Sequence, residues 1–202
     1  MSDVSPTRSA VIEMKDERRA MHEGYVFLDE KCLLLAGEIL RQLALHGRLQ
    51  QRVAALHEAA VAALQAAVAR HGLQGLQVYP PADLADAGVQ ITARSLMGVR
   101  LQAAAWQAAN RSPPATEAVM PSPEAKSCQR AFAAAMATGV ELAAVSGNLE
   151  RLSFEYRRSV RRARALQDVM LPELDHLIGD IEGRLEELEQ EDAVWMRQGV
   201  AR

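Results

Sequence analysis

The 202-residue sequence has few aromatic residues, only two cysteines and no long uninterrupted apolar run. Aromatic residues make up 4% of the chain and alanine occurs 36 times, so much of its apolar content is small side chains. This composition favours long, closely packed helices over a compact globule. Two cysteines cannot by themselves form a disulfide scaffold or a zinc site. Because no run approaches 18 apolar residues, we predict that no segment spans a membrane.

The charge and the N-terminal residues exclude further classes of protein. The formal net charge of -3 at pH 7 argues against a general nucleic-acid binder. The first residues contain no apolar signal core, which predicts that the chain is not secreted through a signal peptide. We therefore expect a cytoplasmic protein that binds no nucleic acid and does not insert directly into a membrane.

Apolar residues recur at heptad spacing through the first long segment. From Val11 onward, steps of four and three meet seventeen positions, of which fourteen are apolar. This pattern is typical of a coiled-coil seam rather than of the broader stripe of a globular helix. Thr7 or Ser9 can cap the start of the helix, and Gly72 can adopt the positive φ that ends it. The pattern predicts a first helix over about residues 9–71.

A second seam predicts a helix over about residues 123–197. Its start, Ser122-Pro123-Glu124, supplies an N-cap, a first-turn proline and a first-turn acid. The seam positions are Leu149, Leu152, Tyr156, Val160, Ala163, Leu166, Met170, Leu174, Ile178, Ile181, Leu185, Leu188, Asp192 and Trp195. Three successive steps of four over residues 166–178 predict that the left-handed supercoil relaxes there. Pro172 lacks one backbone donor, so we expect a mild kink.

Residues 72–122 form an insert of different character. They contain five of the eight prolines and two short patches with β character, residues 74–79 and 89–92. Residues 97–101 are a candidate third strand. Residues 110–121 are a polar, proline-rich connector. The simplest architecture is all-α, a long antiparallel two-helix coiled-coil hairpin with a small irregular or β insert at the bend, forming a single elongated domain over residues 1–202.

The two helix boundaries also predict a register. If residue 71 faces residue 124, Thr7 lies near Leu188 and Lys31 lies near Arg164. The second helix would then extend past the start of the first by about three turns.

Patterns typical of catalytic or cofactor sites are missing from the sequence. It contains neither the Rossmann nor the Walker glycine loop. None of its five histidines lies four residues from another, as a helical zinc motif requires. The acids near the C-terminus fit the solvated flank of a coiled coil. We therefore expect no catalytic residue, no cofactor and no metal, and a chain that is not an enzyme.

A basic cluster in the second helix is the sharpest candidate for a binding surface. We name it the arginine band, and its members are Arg157, Arg158, Arg161, Arg162 and Arg164. In one interpretation these arginines pair with Asp29, Glu30 and Glu38 of the first helix. In the second they form a collar of positive charge that meets an acidic protein surface. Nucleic-acid binding is a weaker third alternative, because the cluster lacks interleaved aromatic residues apart from Tyr156 and the whole chain is acidic. Adjacent Arg161 and Arg162 point about 100° apart on a helix, so we expect one to pair with Glu30 or Glu38 and the other to face outward.

The motifs resemble a known family, the D subunits of the V/A-type rotary ATPases. The C-terminal signature of that family is similar to Tyr156-Arg-Arg-Ser-Val-Arg-Arg-Ala-Arg-Ala-Leu-Gln-Asp-Val-Met-Leu-Pro172, followed by the acidic helix of residues 178–192. Three earlier elements also resemble it: Pro6-Thr-Arg8, Gly24-Tyr-Val-Phe-Leu-Asp-Glu-Lys31 and Ser95-Leu-Met-Gly-Val99. The chain departs from the family pattern at Asp29, Cys32, Leu33 and Arg164.

The resemblance implies a non-catalytic rotor component of the central stalk. Such a component couples ATP hydrolysis or synthesis in a hexameric head to rotation of a membrane ring and to proton or sodium transport. The implied partners are the catalytic A and B subunits of the head, the small F subunit of the stalk and the funnel-shaped component on the ring. The implied location is cytoplasmic and peripheral, on the inner face of the membrane.

Within the matching motifs we expect partner contacts at the arginine band and at Leu166, Trp195 and Arg197. The alternative functions are a prefoldin-like coiled-coil chaperone and another structural coiled-coil adaptor. A prefoldin-like chain also has two long helices joined by β elements, but it is shorter and lacks the arginine-rich signature.

Overall fold

The computed structural model describes residues 6–77, 79, 88–107 and 122–200. The elements are α1 (Arg8–Leu76), β1 (Gly88–Leu96), β2 (Val99–Gln107), α2 (Pro123–Ala165), a π-helical segment (Leu166–Met170) and α3 (Leu171–Val200). The predicted architecture of two long antiparallel helices with a small β insert is confirmed. The predicted connector at residues 110–121 lies outside the described residues.

Helix α1 begins and breaks where the sequence predicts. The hydroxyl of Thr7 accepts a hydrogen bond from the backbone N–H of Ala10 at 3.3 Å, which caps the first turn. Gly72 has φ 69° and ψ 164°, a conformation that almost only glycine adopts. Helical structure resumes after this break and continues to Leu76. The strand predicted at residues 74–79 is therefore wrong, because leucine and glutamine readily form one more helical turn there.

The predicted seam of α1 lies along its packed face. Every seam position except Arg18 is buried or half-buried. Leu35, Ala60 and Ala67 are completely enclosed, at 0% exposure. At Ala60 and Ala67 the small side chains leave room for a neighbouring backbone to approach closely.

The irregular part of the second seam adopts a π helix instead of a simple kink. In the segment Leu166–Met170, the N–H of Leu171 bonds the carbonyl of Leu166, five residues earlier. The next nitrogen belongs to Pro172, which has no hydrogen to donate and whose ring would clash with the preceding turn. The wider π turn therefore precedes the proline and rotates the helix face. As a result Met170, predicted on the seam, is 42% exposed, and that prediction is wrong.

Contacts divide the chain into two units, the first formed by residues 1–34 with 156–202 and the second by residues 35–155. In the first unit α1 and α3 are antiparallel and joined by three ion pairs. Arg8 contacts Glu189 at 2.5 Å, Lys15 contacts Glu182 at 2.5 Å, and Arg18 pairs with Asp175. Arg8 donates a hydrogen bond to Glu189 and Arg18 donates one to Asp175, and these bonds raise the pKa of both arginines. These pairs agree with the predicted register.

The end of α3 continues beyond the start of α1. Because Arg8 pairs with Glu189 and α3 continues to Val200, about three turns of α3 extend past the pair, as expected. Leu188 is 47% exposed and Trp195 is 73% exposed. Both were predicted on the packed seam, and both predictions are wrong. Trp195 lies beyond Glu189, the partner of the first residue of α1, so α1 cannot cover it, whereas Leu188 lies level with the first turn of α1.

In the second unit, the end of α1 and the start of α2 are antiparallel. Arg70 donates to Glu124 at 2.9 Å, and His71 Nε2 lies 2.7 Å from the hydroxyl of Ser122. Ser122 caps α2 as predicted, since its hydroxyl accepts the N–H of Ala125 at 3.1 Å. A hydrogen bond from its own backbone N–H, supported by nearby Arg70, lowers the pKa of Glu124.

The two strands of the insert form one antiparallel hairpin. The turn consists of Met97 at φ 48° and Gly98 at φ 84°, the pair of positive values typical of a type I′ turn. The strands predicted at residues 89–92 and 97–101 are confirmed, and both are longer than predicted. Met97 and Gly98, predicted at the start of the second strand, form the turn instead. Since this turn twists with the strands, it fixes the pairing of Leu96 with Val99 and of Gly88 with Gln107.

Each long helix contains an 18-residue window with a mean hydropathy of 1.2, so length and composition alone would allow a membrane span. This is weak evidence, because core helices of soluble proteins can show the same property. The expectation that no segment spans a membrane stays a prediction.

Candidate functional site

The arginine band lies on the last turns of α2, directly before the π segment. All five of its arginines are exposed. On the same turns Ser159 and Ala163 are buried, at 1% and 8% exposure, so this helix has a packed face and a solvent face. The band occupies the solvent face and its edges.

None of the five arginines forms an ion pair with any residue that the structure describes. The interpretation in which the band pairs with acids of the first helix is therefore wrong. The narrower expectation that Arg161 or Arg162 pairs with Glu30 or Glu38 is wrong too. Glu38 instead binds arginines of α1 and β1. The band is thus a concentration of exposed positive charge that no acid within the described ranges neutralises.

Leu166, the next predicted contact residue, is half-buried at the start of the π segment. Its Cδ1 lies 3.9 Å from the position that a Cβ on Gly24 would occupy. The leucine therefore packs against α1, and only part of its side chain is accessible. Its role in partner contact stays a prediction.

The remaining predicted contacts, Trp195 and Arg197, lie on the overhanging end of α3. Val194, Trp195 and Met196 are 52%, 73% and 67% exposed, and Arg197 is exposed as well. At 1.5 Å per residue, Trp195 lies about 45 Å along the helix from Arg164. The structure therefore places the predicted residues on two separate surfaces, one on the last turns of α2 and the other at the end of α3.

A second set of polar contacts, which sequence reasoning missed, attaches the β hairpin to the helices. Asn148 of α2 is 3% exposed and binds both backbone groups of Gln102. The N–H of Gln102 donates to Asn148 Oδ1 at 2.8 Å, and Asn148 Nδ2 donates to the Gln102 carbonyl at 2.7 Å. The side-chain amide thus forms the same two hydrogen bonds that the backbone of a neighbouring strand would form with Gln102. Its only signal in the sequence is its position one residue before a seam leucine, Leu149.

A buried carboxylate anchors the other strand. Glu38 of α1 is 1% exposed, and its Oε1 accepts hydrogen bonds from Arg94 of β1 at 2.6 Å and from Gln42 at 2.9 Å. Its other oxygen pairs with Arg41. We call these four side chains the Glu38 cluster. Because Glu38 and Asn148 lie well inside their helices, the hairpin packs alongside the helix pair rather than beyond its end.

Metal binding and thiol chemistry have little support among the residues that the structure describes. No group of three or more histidine, cysteine or acidic side chains is arranged to hold a metal in that part of the chain. Cys32 and Cys128 are free thiols. Burial, helped by the nearby charge of Asp29, raises the pKa of Cys32, which lowers its reactivity as a thiolate.

Comparison with known proteins gives matches along nearly the whole chain. The family of ATP synthase D subunits matches residues 10–198. The D subunit of a V-type ATP synthase from Thermotoga neapolitana is 25% identical over 189 residues, which cover 94% of this chain and 93% of the relative. The D subunit of an A-type ATP synthase from Methanopyrus kandleri is 24% identical over 209 residues, covering 98% and 86%. The V-type D subunit from Thermus thermophilus is 28% identical over 206 residues, covering 98% and 88%.

Proposed function

Because the chain belongs to the family of ATP synthase D subunits, we propose that it is the central rotor shaft of a V/A-type ATPase. In this role it couples ATP hydrolysis or synthesis in a hexameric head to rotation of a membrane ring and to proton or sodium transport. The observation that carries the proposal is the family match over residues 10–198, which includes both long helices and the insert. That match favours a shaft over a prefoldin-like chaperone or another coiled-coil adaptor.

The physical properties of the helices suit a shaft. A rotor must resist twisting, and it must present different surfaces to the head as it turns. Seam packing and the ion pairs between α1 and α3 supply stiffness in the first unit. The arginine band supplies asymmetry, because its charge lies on one face of α2 only.

We assign the chain a non-catalytic role in the complex. ATP would be bound and hydrolysed between the A and B subunits, and the shaft would transmit their closure as rotation. The small F subunit would clasp the shaft, and the funnel-shaped component would connect it to the ring. The location is then cytoplasmic and peripheral, on the inner face of the membrane.

The overhanging end of α3 is the surface that we assign to the head. Trp195 is a large, exposed aromatic side chain with Val194 and Met196 beside it. Aromatic residues of this kind contribute strongly to binding once a partner covers them. The exposed band would meet an acidic surface of the head or of the F subunit, since uncompensated arginines attract carboxylates.

Co-purification tests this proposal. The chain is expressed with the A, B and F subunits of the same source, and the complex is isolated through a tag on the A subunit. We expect the chain to co-purify, and Trp195→Ala to weaken its binding by about tenfold or more.

The matched control is Leu73→Ala, because Leu73 is an apolar side chain that is 72% exposed and lies in the second unit. This control should bind the head like the unchanged chain. Failure of the unchanged chain to join the head would refute the proposal. Equal weakening by both substitutions would refute only the assignment of the α3 end.

A further inference from the structure

The hairpin has two long edges, and Asn148 of α2 binds one of them, the edge of β2, at Gln102. Ala93 pairs with Gln102, whose N–H and carbonyl both bind Asn148 rather than β1. In an antiparallel pair, residues alternate between facing the partner strand and facing away. Gln102 therefore belongs to the outward-facing set of β2, and Ala93 belongs to the outward-facing set of β1.

The same alternation identifies the free groups on the edge of β1. The backbone N–H and carbonyl of Val89, Ile91, Ala93 and Ser95 point away from β2. They form no hydrogen bond with any part of the chain that the structure describes. All four residues are exposed. The edge of β1 is thus an unprotected row of donors and acceptors, which proteins seldom leave open over nine residues.

The side chains beside this edge add an apolar surface. Val89 and Ile91 are 46% and 56% exposed, and they share one face of the sheet with their cross-strand partners Trp106 and Ala104. The hairpin carries two arginines and no acid; Glu38 neutralises Arg94, so Arg100 supplies its uncompensated positive charge. Arg100 lies on the same face, next to the turn.

We propose that the edge of β1 receives an extended strand from another protein of the complex, which adds to the hairpin as a third strand. The incoming strand would place apolar residues beside Val89 and Ile91, and an acidic residue near Arg100. This inference rests on the proposed function for the origin of the strand.

The geometry selects a strand rather than a helix. Outward donors and acceptors repeat at about 6.7 Å along β1, which only another extended backbone matches. A second copy of the chain is disfavoured by charge, because its hairpin would bring a second Arg100 and no acid to this edge.

Hydrogen–deuterium exchange at single-residue resolution tests the inference in the full chain, alone and in the purified complex. In the free chain the amides of Val89, Ile91, Ala93 and Ser95 should exchange rapidly, whereas those of Gln90, Thr92 and Arg94 are protected by β2. In the complex the first four should exchange about tenfold or more slowly.

Two variants separate edge pairing from folding. Ala93→Pro removes one outward N–H of β1 and should abolish the added protection of Ile91 and Ser95. Ala104→Pro removes an outward N–H of β2 and should leave that protection intact. In both variants continued protection of Thr92 would show that the hairpin is folded. Should Ala93→Pro disrupt it, Ile91→Lys, which places a charge on the apolar face, provides the same test.

Each result has a distinct meaning. Co-purification with the A subunit, together with rapid exchange of the four edge amides in the complex, would overturn this inference and leave the proposed function intact. Protection of those amides in the isolated chain, with a dimeric mass by light scattering, would also overturn it, because the occupant would be a second copy. Failure of the chain to join any complex would refute both proposals.

Discussion

The Glu38 cluster makes a prediction about which of its members matters most for stability. Glu38 is 1% exposed, whereas the side chains of Arg94 and Arg41 are 58% and 72% exposed. The carboxylate is therefore buried and cannot be solvated in the folded chain, whereas both arginines can be solvated if the carboxylate is removed. Removing an arginine should thus destabilise the second unit more than removing the acid.

The expected magnitudes follow from this asymmetry. Arg94→Ala loses a charge-assisted hydrogen bond of 2.6 Å and leaves a buried carboxylate with one fewer partner. Its cost should be about 2 kcal/mol. Glu38→Met keeps a side chain of similar length, removes the buried charge and frees two hydrated arginines. Its cost should stay within about 1 kcal/mol.

A double-mutant cycle measures the coupling between Glu38 and Arg94. Once Glu38 is methionine, Arg94→Ala should cost almost nothing, so the double variant should be more stable than Arg94→Ala alone. The readout is amide hydrogen exchange in β1 and β2, which reports local opening of the hairpin. A loss of about 2 kcal/mol corresponds to exchange about thirtyfold faster.

Two results would refute the reasoning. One is a double variant whose loss equals the sum of the two single losses, because additivity would mean that the side chains do not interact. The other is a larger loss for Glu38→Met than for Arg94→Ala. Arg100→Ala is the matched control, since Arg100 is an exposed arginine of the same hairpin.

Four further predictions concern single features. Asn148→Ala should lower the stability of the hairpin by about 2 kcal/mol, measured by hydrogen exchange, because both its bonds to the strand are lost. Because the pKa of Glu124 is lowered in the folded chain, its charged form stabilises the fold above the usual carboxyl pKa, and this stabilisation is lost as the pH falls through the lowered value. The melting temperature of Glu124→Gln should therefore fall less on acidification than that of the unchanged chain. Arg161→Ala and Arg162→Ala should each change thermal melting little, yet weaken binding to the head, most at low salt. Deletion of residues 190–202 should leave ATP turnover poorly coupled to rotation in the reconstituted complex.

Each of these four has a contrary outcome. Unchanged exchange in Asn148→Ala would show that other contacts hold β2. An acid dependence equal to that of the unchanged chain would remove Glu124 as its source. Early melting with normal binding would make Arg161 and Arg162 structural residues. Coupled activity in the truncated chain would show that the end of α3 is not needed in the head.

Heptad periodicity predicted much of this fold because it reports local geometry. The seam beginning at Val11 located the buried face of α1, and the cap residues Thr7 and Ser122 located the helix starts. The predicted register also agrees with the pair Arg8–Glu189. These features depend on residues a few positions apart, or on two long helices that can align in few ways.

Periodicity did not predict features that depend on which other segment packs against a residue. The spacing that includes Trp195 continues past the start of α1, so this apolar side chain is exposed. The anchors of the hairpin escaped prediction for a related reason. Glu38 meets Arg94, 56 residues away, and neither residue carries a local signal for that contact. The turn was also hard to recognise, because Met97 occupies a positive φ that usually favours asparagine or glycine.

The partner surfaces stay predictions for the same reason. The arginine band and Trp195 are both exposed, and the surfaces that would cover them belong to partners rather than to this sequence. Each therefore needs a binding experiment with a control variant.

Observation of rotation tests the central claim most directly. The reconstituted head is fixed to a surface, and a gold particle is attached to the hairpin through a cysteine introduced at Gln90, in a chain whose Cys32 and Cys128 are replaced by serine. If the chain is the rotor shaft, ATP should drive continuous rotation of the particle in one direction, and rotation should stop when ATP is withdrawn. A particle that stays fixed while the same head hydrolyses ATP would contradict the claim.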